Sequence, residues 1–285
     1  MRSSTPLQVL PHTNDFGARI TGVNLSQPQR ESLIAEIRAL WLRYQVVYFP
    51  DQPLDHAQLE QFTHQFGPFG EDPYVEPLDG HPHILEVRRE PDEKIMPFGA
   101  SWHSDWSFQA KPPSATILHA KIVPPTGGDT HYADSIRALD SLDPVLRNEI
   151  TGLNAVHSAR RPYSHQGFKR SGGDQRSMTI VPSVDAWDTT EHPLVRTHPE
   201  SGRQALWINP VYTIGITGMP QTEADKLLQR LFAHLLKPEF IYRHSWAPNM
   251  LTMWDNRSVL HCANGGYDGH RRVMHRTVVA GETPC

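Results

Sequence analysis

From residue 83 onward the chain is a succession of short apolar and β-branched stretches cut by proline and glycine. That pattern restricts the fold more than any other feature. Residues 83–87, 116–123, 130–132, 155–157, 194–197, 205–208, 240–246, 250–254 and 273–279 each read as a strand. The 25 prolines and 19 glycines are scattered, which suits many short strands joined by turns. One clear helix interrupts them at 222–236, with Ala224, Leu227, Leu228, Leu231 and Leu235 on one face. The first 82 residues are mixed. A strand and turn are expected at 16–23. A helix capped by Ser26, with Pro28 in its first turn, follows and faces Leu33, Ile34, Ile37, Leu40, Trp41 and Tyr44 inward. A buried strand at 46–49 stops at Pro50, and a second helix, capped by Asp55 and ended by Gly67, buries Leu59, Phe62 and Phe66. The fold class expected is mainly β with flanking helices, a sandwich or barrel forming a single domain over 1–285. Segment 164–185 is polar and carries Gly167, Gly172 and Gly173. It is long for a connection and is expected to be an active-site loop or lid.

Composition removes several classes of function. The formal net charge is −4 and no Lys/Arg cluster stands out, so nucleic acid is not an expected partner. No run of about 18 apolar residues is present, so no membrane span is expected. The first residues lack an apolar signal core, and Cys262 and Cys285 are the only cysteines. A cytoplasmic protein without a disulfide framework is expected.

The chemistry-bearing pattern is His103-Ser104-Asp105 with His261, 158 residues further on. Residues i and i+2 of a strand point the same way, so His103 and Asp105 can reach one metal, and a neighbouring strand can bring His261. Two imidazoles and one carboxylate on one face are a ligand set for Fe(II) that leaves positions open for substrate and O2. A structural zinc site would want four ligands, usually including thiolates. Cys262 is next to His261 but would point to the opposite face. His81-Pro82-His83 resembles a metal pair without supporting context. An HxD pair is by itself a weak signal among 17 histidines.

The segments Trp102-His103-Ser104-Asp105, Pro125-Thr126-Gly127-Gly128-Asp129-Thr130, Trp254-Asp255-Asn256-Arg257 through His261, and Arg271-Arg272-Val273-Met274-His275-Arg276 together resemble the taurine dioxygenase (TauD/TfdA) family of Fe(II)/2-oxoglutarate-dependent dioxygenases. Weaker similarity runs across nearly the whole chain. The resemblance implies a double-stranded β-helix (jelly roll, cupin-like). His103, Asp105 and His261 would be the metal ligands and catalytic centre, with 2-oxoglutarate and O2 as co-reactants. It implies that Arg276, helped by Thr130, holds the far carboxylate of 2-oxoglutarate; a charge in the apolar strand 273–279 does demand a partner. Arg271 and Arg272 read as solvated turn charges. Asp255 and Asn256 read as structural support, and Trp102 and Trp254 as packing.

The substrate positions implied by the resemblance fall on Asp72, Tyr74, Trp106, Tyr163 and Tyr212, with Gly99 before the HxD strand. Asp72 and Gly99 stand where taurine dioxygenases place a histidine and an asparagine against the sulfonate. An aspartate there would repel a sulfonate by several kcal/mol in a low-dielectric pocket. The expectation is therefore a small molecule other than taurine, amine-bearing or aromatic, in an aromatic-walled pocket. Hydroxylation of its C–H bond would be followed by C–heteroatom cleavage where that carbon bears a heteroatom. A taurine, alkylsulfonate or sulfate-ester dioxygenase is the alternative within the class. A non-catalytic β-barrel that binds a metal or ligand is the alternative outside it. Relatives are dimers or tetramers, so a homo-oligomer is expected by analogy.

Overall fold

The computed structural model describes residues 6–285. Its largest sheet has seven strands in the order Gln8–Pro11, Ala18–Thr21, Val46–Phe49, Leu251–Asp255, Ala115–Ile122, Arg272–Val279, Leu85–Arg89. Neighbouring strands are antiparallel except for the parallel pair Ala18–Thr21 and Val46–Phe49. A second sheet sets Thr130–Asp134 between Ile241–His244 and Val259–Ala263. Two smaller sheets are built from Asn154–His157, Thr190–Pro193 and Thr213–Ile216, and from Val195–Thr197 with Gln204–Leu206. The architecture is a mixed α/β arrangement of several sheets flanked by helices.

Strand alternation decides which side chains meet. Ala115 and Ile117 face the helices Glu31–Tyr44 and His56–His64 and join Ile37, Trp41, Leu59 and Phe62 in one core. Leu118, Ala120 and Met274 face the other way and meet Tyr132 and Val259 of the second sheet. The two sheets are therefore packed face to face, and the outer face of the second one, through Ala133 and Leu260, packs on the helix Gln221–Leu235. His261 shares the inward side of Val259, while Leu260 is turned to the helix.

All nine strand expectations are met to within two residues. Four strands escaped sequence reading: Gln8–Pro11, Thr190–Pro193, Thr213–Ile216 and Val259–Ala263, the one that carries His261. So did the short helices Ser135–Asp140 and Pro144–Ile150, capped by Asp134 and Asp143. They are too short to show a period. Asp55 does cap its helix, in a capping box with Gln58. Ser26 does not cap the first helix. Its N–H donates to Asn24 Oδ1 in a turn, and the helix starts four residues later behind Arg30. Segment 164–185 is not an irregular loop. It holds the helix His165–Arg170, capped by the Ser164 hydroxyl, and a 3₁₀ turn at Gly173–Gln175. Gly167 packs there so closely that a Cβ would lie 2.1 Å from the Arg161 carbonyl oxygen. Among the described residues no helix is long and apolar enough to cross a membrane.

The turn at 256–258 carries the chain from one sheet to the other. Asp255 anchors it, accepting from Arg257 Nε at 2.8 Å, Arg257 Nη2 at 2.8 Å and His198 Nε2 at 2.9 Å. Burial pushes the Asp255 carboxyl up, but Arg257 and His198 outweigh burial and hold it well below the usual carboxylate range. Replacing Asp255 by Ala should destabilise the protein by roughly 3–5 kcal/mol in urea unfolding, because it strips the buried Arg257 of its main counter-ion. A loss under about 1 kcal/mol would contradict the anchoring role.

Candidate metal and cosubstrate site

His103 and His261 lie opposite one another in an antiparallel bridge. Each backbone N–H donates to the other's carbonyl, at 3.0 and 2.8 Å. Asp105 is two residues on. Its Oδ1 lies 3.5 Å from His103 Nε2 and 3.9 Å from His261 Nε2. One donor atom from each residue falls within 4.8 Å of the others, and all three residues are buried; among the described residues no other group of His, Cys, Asp or Glu meets this condition. The backbone bridge thus converts a separation of 158 residues into one three-donor face.

Surrounding groups fix the ligands for a cation. The Nδ1–H of His103 donates to the Ser101 carbonyl at 2.7 Å, which leaves the Nε2 lone pair for metal. Burial pushes the His261 imidazole down to about 3, with His103 adding to the shift, so it stands neutral and ready to ligate. Its ring is held by Trp254, 4.7 Å between centroids. Burial alone would raise the Asp105 carboxyl. The charge of Arg276 overcomes it and keeps the carboxylate ionised. The second oxygen of Asp105 accepts from the Thr116 hydroxyl at 2.6 Å; Thr116 in turn accepts from Asn256 Nδ2 at 2.9 Å, and Asn256 Oδ1 takes the indole N–H of Trp254 at 3.0 Å. Sequence reading left Asn256 as generic support and missed Thr116 altogether. Nothing in a lone threonine of a strand announces this role.

The two arginines at either end of 272–276 meet different partners. Arg276 sits at the metal end, its Nη1 3.3 Å from Asp105 Oδ1. Its Nη2 pairs with Asp72, whose Oδ1 also accepts the Trp106 indole N–H at 2.5 Å. Burial works against the charge of Arg276, but Asp72 and Asp105 more than restore it. Arg272 is not a solvated turn charge. It is 5% exposed, lies over the Trp246 ring at 6.0 Å, and donates weakly to the Gly128 carbonyl at 3.4 Å. Trp246 also donates to the Thr130 hydroxyl at 3.0 Å, so Thr130 and Arg272 share one support. Among the described residues no Asp or Glu oxygen pairs with Arg272, and its Nε has no hydrogen-bond partner. A buried guanidinium without a counter-ion is a receptor for an anion. Arg272, Thr130, Arg276 and the triad line one inner cavity together with Gly99 and Trp254. The donor set therefore fits Fe(II), and the unpaired arginine at the cavity's other end fits a dicarboxylate chelated to it.

A second cavity of about 320 Å³ adjoins the first and shares Phe98, Gly99 and His103 with it. Tyr163, Tyr212, Ile180 and Val211 form its apolar wall. The other expected substrate residues lie elsewhere. Tyr74 is a layer behind, stacked on Tyr163 at 4.8 Å, and Trp106 and Asp72 sit behind Arg276 rather than on either cavity wall. Asp72 already serves Arg276, which removes it as the free partner of a substrate amine. Gly99 carries a φ of +74°, and a Cβ there would meet His103 Cε1 at 3.3 Å. His81 and His83 do not form a metal pair; one meets Glu60 and the other stacks on Phe69.

The family model for the taurine catabolism dioxygenase TauD, TfdA family matches residues 7–278. An (S)-phenoxypropionate/alpha-ketoglutarate-dioxygenase of Sphingobium herbicidovorans is 32% identical over 98% of this chain and 96% of its own. An alpha-ketoglutarate-dependent sulfate ester dioxygenase of Pseudomonas putida is 30% identical over 98% and 91%. The crystal structure of a taurine dioxygenase from Burkholderia xenovorans superposes with a TM-score of 0.81 at 33% identity, covering 98% of this chain and 90% of that one. The chain belongs to the TauD/TfdA family of alpha-ketoglutarate (2-oxoglutarate)-dependent dioxygenases. It is an oxidoreductase whose His-Asp-His triad holds Fe(II) and whose cosubstrate is 2-oxoglutarate. The non-catalytic alternative is thereby set aside.

Replacing Thr116 by Val should weaken Fe(II) binding about 10- to 100-fold in a metal titration while leaving the unfolding midpoint nearly unchanged, because it frees one oxygen of a ligating carboxylate. Undiminished affinity would remove Thr116 from the site.

Proposed function

We propose that this dioxygenase hydroxylates a C–H bond of a small, flat, largely apolar molecule held between the triad and the wall of Tyr163 and Tyr212. Succinate and CO2 leave as co-products, and the product fragments when the hydroxylated carbon carries a heteroatom. The observation that carries the reading is a buried His-Asp-His face with an unpaired, buried Arg272 at the far end of the same cavity. Bound Fe(II) and 2-oxoglutarate supply the oxidation, using O2. The protein's residues supply position.

In this reading His103, Asp105 and His261 present one face of donors and leave the opposite side to cosubstrate and substrate. Arg272 and the Thr130 hydroxyl take the far carboxylate, and Arg276 stands at the metal end. This reverses the assignment expected from sequence, which gives Arg276 the far role; its contact with a ligating carboxylate supports the position near the iron instead. Thr116 and Asn256 hold Asp105 in register. Tyr163 and Tyr212 exclude water from the reacting carbon. The relatives that act on a phenoxypropionate and a sulfate ester support a heteroatom-bearing carbon as the target. The facing sheets support a double-stranded β-helix in a single domain, with segment 164–185, which contributes Ser171, Arg176 and Ile180 to the outer cavity, as the cover of the site. A cytoplasmic homo-oligomer is part of the same proposal.

Two variants test it. Asp105→Ala should abolish both Fe(II) retention and succinate formation; turnover at the wild-type rate would overturn the reading. Arg272→Met should raise the apparent KM for 2-oxoglutarate about 10- to 100-fold, the loss expected when a charged hydrogen-bond donor is removed from a carboxylate. An unchanged KM in that variant would return the far carboxylate to another group.

A further inference from the structure

Three guanidiniums face the two cavities, and their partners differ. Arg272 has no carboxylate partner among the described residues. Arg276 has Asp72. Arg176, the one lysine or arginine among the described residues on the wall of the outer cavity, lies 3.7 Å from Glu93. The cation assigned to the cosubstrate is therefore open, while both cations beside the substrate space are already matched. Resting on the dioxygenase reading above, we propose that Asp72 is a specificity-determining counter-ion. It neutralises Arg276 and so selects an uncharged substrate, one without a carboxylate, sulfonate or sulfate next to the iron.

The charge balance of the centre points the same way. Fe(II) brings two positive charges, and Arg272 and Arg276 bring one each. Against them stand two negative charges from 2-oxoglutarate and one from Asp105. The remainder is a single positive charge, which an anionic substrate would cancel. Here Asp72 cancels it from inside the protein. A second charge of the same sign brought next to it would meet repulsion in a site screened from water. The pairing is also built into the fold. Trp106 is held at a φ of +47°, a left-handed conformation that an aromatic residue rarely adopts, and its indole N–H closes on the same Asp72 oxygen that Arg276 uses. The guanidinium of Arg276 lies over the Trp106 ring at 5.0 Å, so three side chains form one unit. The outer cavity continues the theme with an apolar wall of Phe98, Ile180, Val211 and Tyr212.

The test is a binding comparison between phenoxyacetate and its primary amide, the same molecule with and without the charge. Zn(II) and 2-oxoglutarate load the protein without turnover, and tryptophan fluorescence reads binding. Wild type should bind the amide more tightly, by about tenfold or more. Asp72→Asn keeps an acceptor for Trp106 and should move the ratio toward the carboxylate by a similar factor. Asp72→Glu should restore the wild-type preference, which a merely structural role would not do. A wild type that prefers phenoxyacetate, or a ratio that Asp72→Asn leaves unchanged, overturns the inference. The underlying reading is tested apart from it, by whether Fe(II) and 2-oxoglutarate added anaerobically to wild type give a visible charge-transfer band. With the band present and the ratio unmoved, only the role of Asp72 falls; with no band, both fall.

Discussion

Two backbone hydrogen bonds between His103 and His261 hold the site together. They join a segment that precedes the strand Ala115–Ile122 to a strand of the second sheet, and they set both imidazoles and Asp105 on one buried face. The face-to-face packing of the two sheets protects that bridge from water. The Asp255–Arg257 anchor fixes where the chain crosses from one sheet to the other, six residues before His261. Because the bridge fixes His103 against the strand that carries His261, and the Thr116 hydroxyl fixes Asp105, the face is in place before a cation arrives, so binding need not order it.

Electrostatics then divides the cavity into two ends. Every buried charge demands compensation, and the identity of the compensating group tells what a position is for. Arg276 is satisfied by Asp72 and Asp105, and Arg257 by Asp255 and Glu200. Among the described residues Arg272 has a weak bond to a carbonyl and the face of Trp246, and no carboxylate. A cation left unmatched in a buried cavity, beside a hydroxyl held by the same tryptophan, is the protein's half of an ion pair. Among the described residues the aromatic wall of the outer cavity carries no comparable unmatched charge, and this difference is the basis for the proposed division between cosubstrate and substrate.

Much of this was legible in the chain. Residue type and spacing suggested the triad, and the accompanying motifs that resemble a known family made it specific. Apolar and β-branched stretches cut by turn residues revealed nine strands. The short helices and the strand carrying His261 were hidden, because five to seven residues in which apolar and polar side chains both meet partners leave no period. The different partners of Arg272 and Arg276 were hidden for a different reason. Both lie on one strand, four residues apart, and both point toward the site. Only their distances to Asp105 and Trp246 tell the metal end from the far end. Thr116 and the Asp72–Trp106–Arg276 unit share this limit, being contacts between segments with no local signature.

The most direct measurement is a crystal structure of the anaerobic complex with Fe(II) and 2-oxoglutarate. The account predicts iron bound by His103, Asp105 and His261, with the far carboxylate of the cosubstrate on Arg272 and Thr130 and Asp72 still paired with Arg276. A far carboxylate resting on Arg276, with Arg272 turned to solvent, would contradict it.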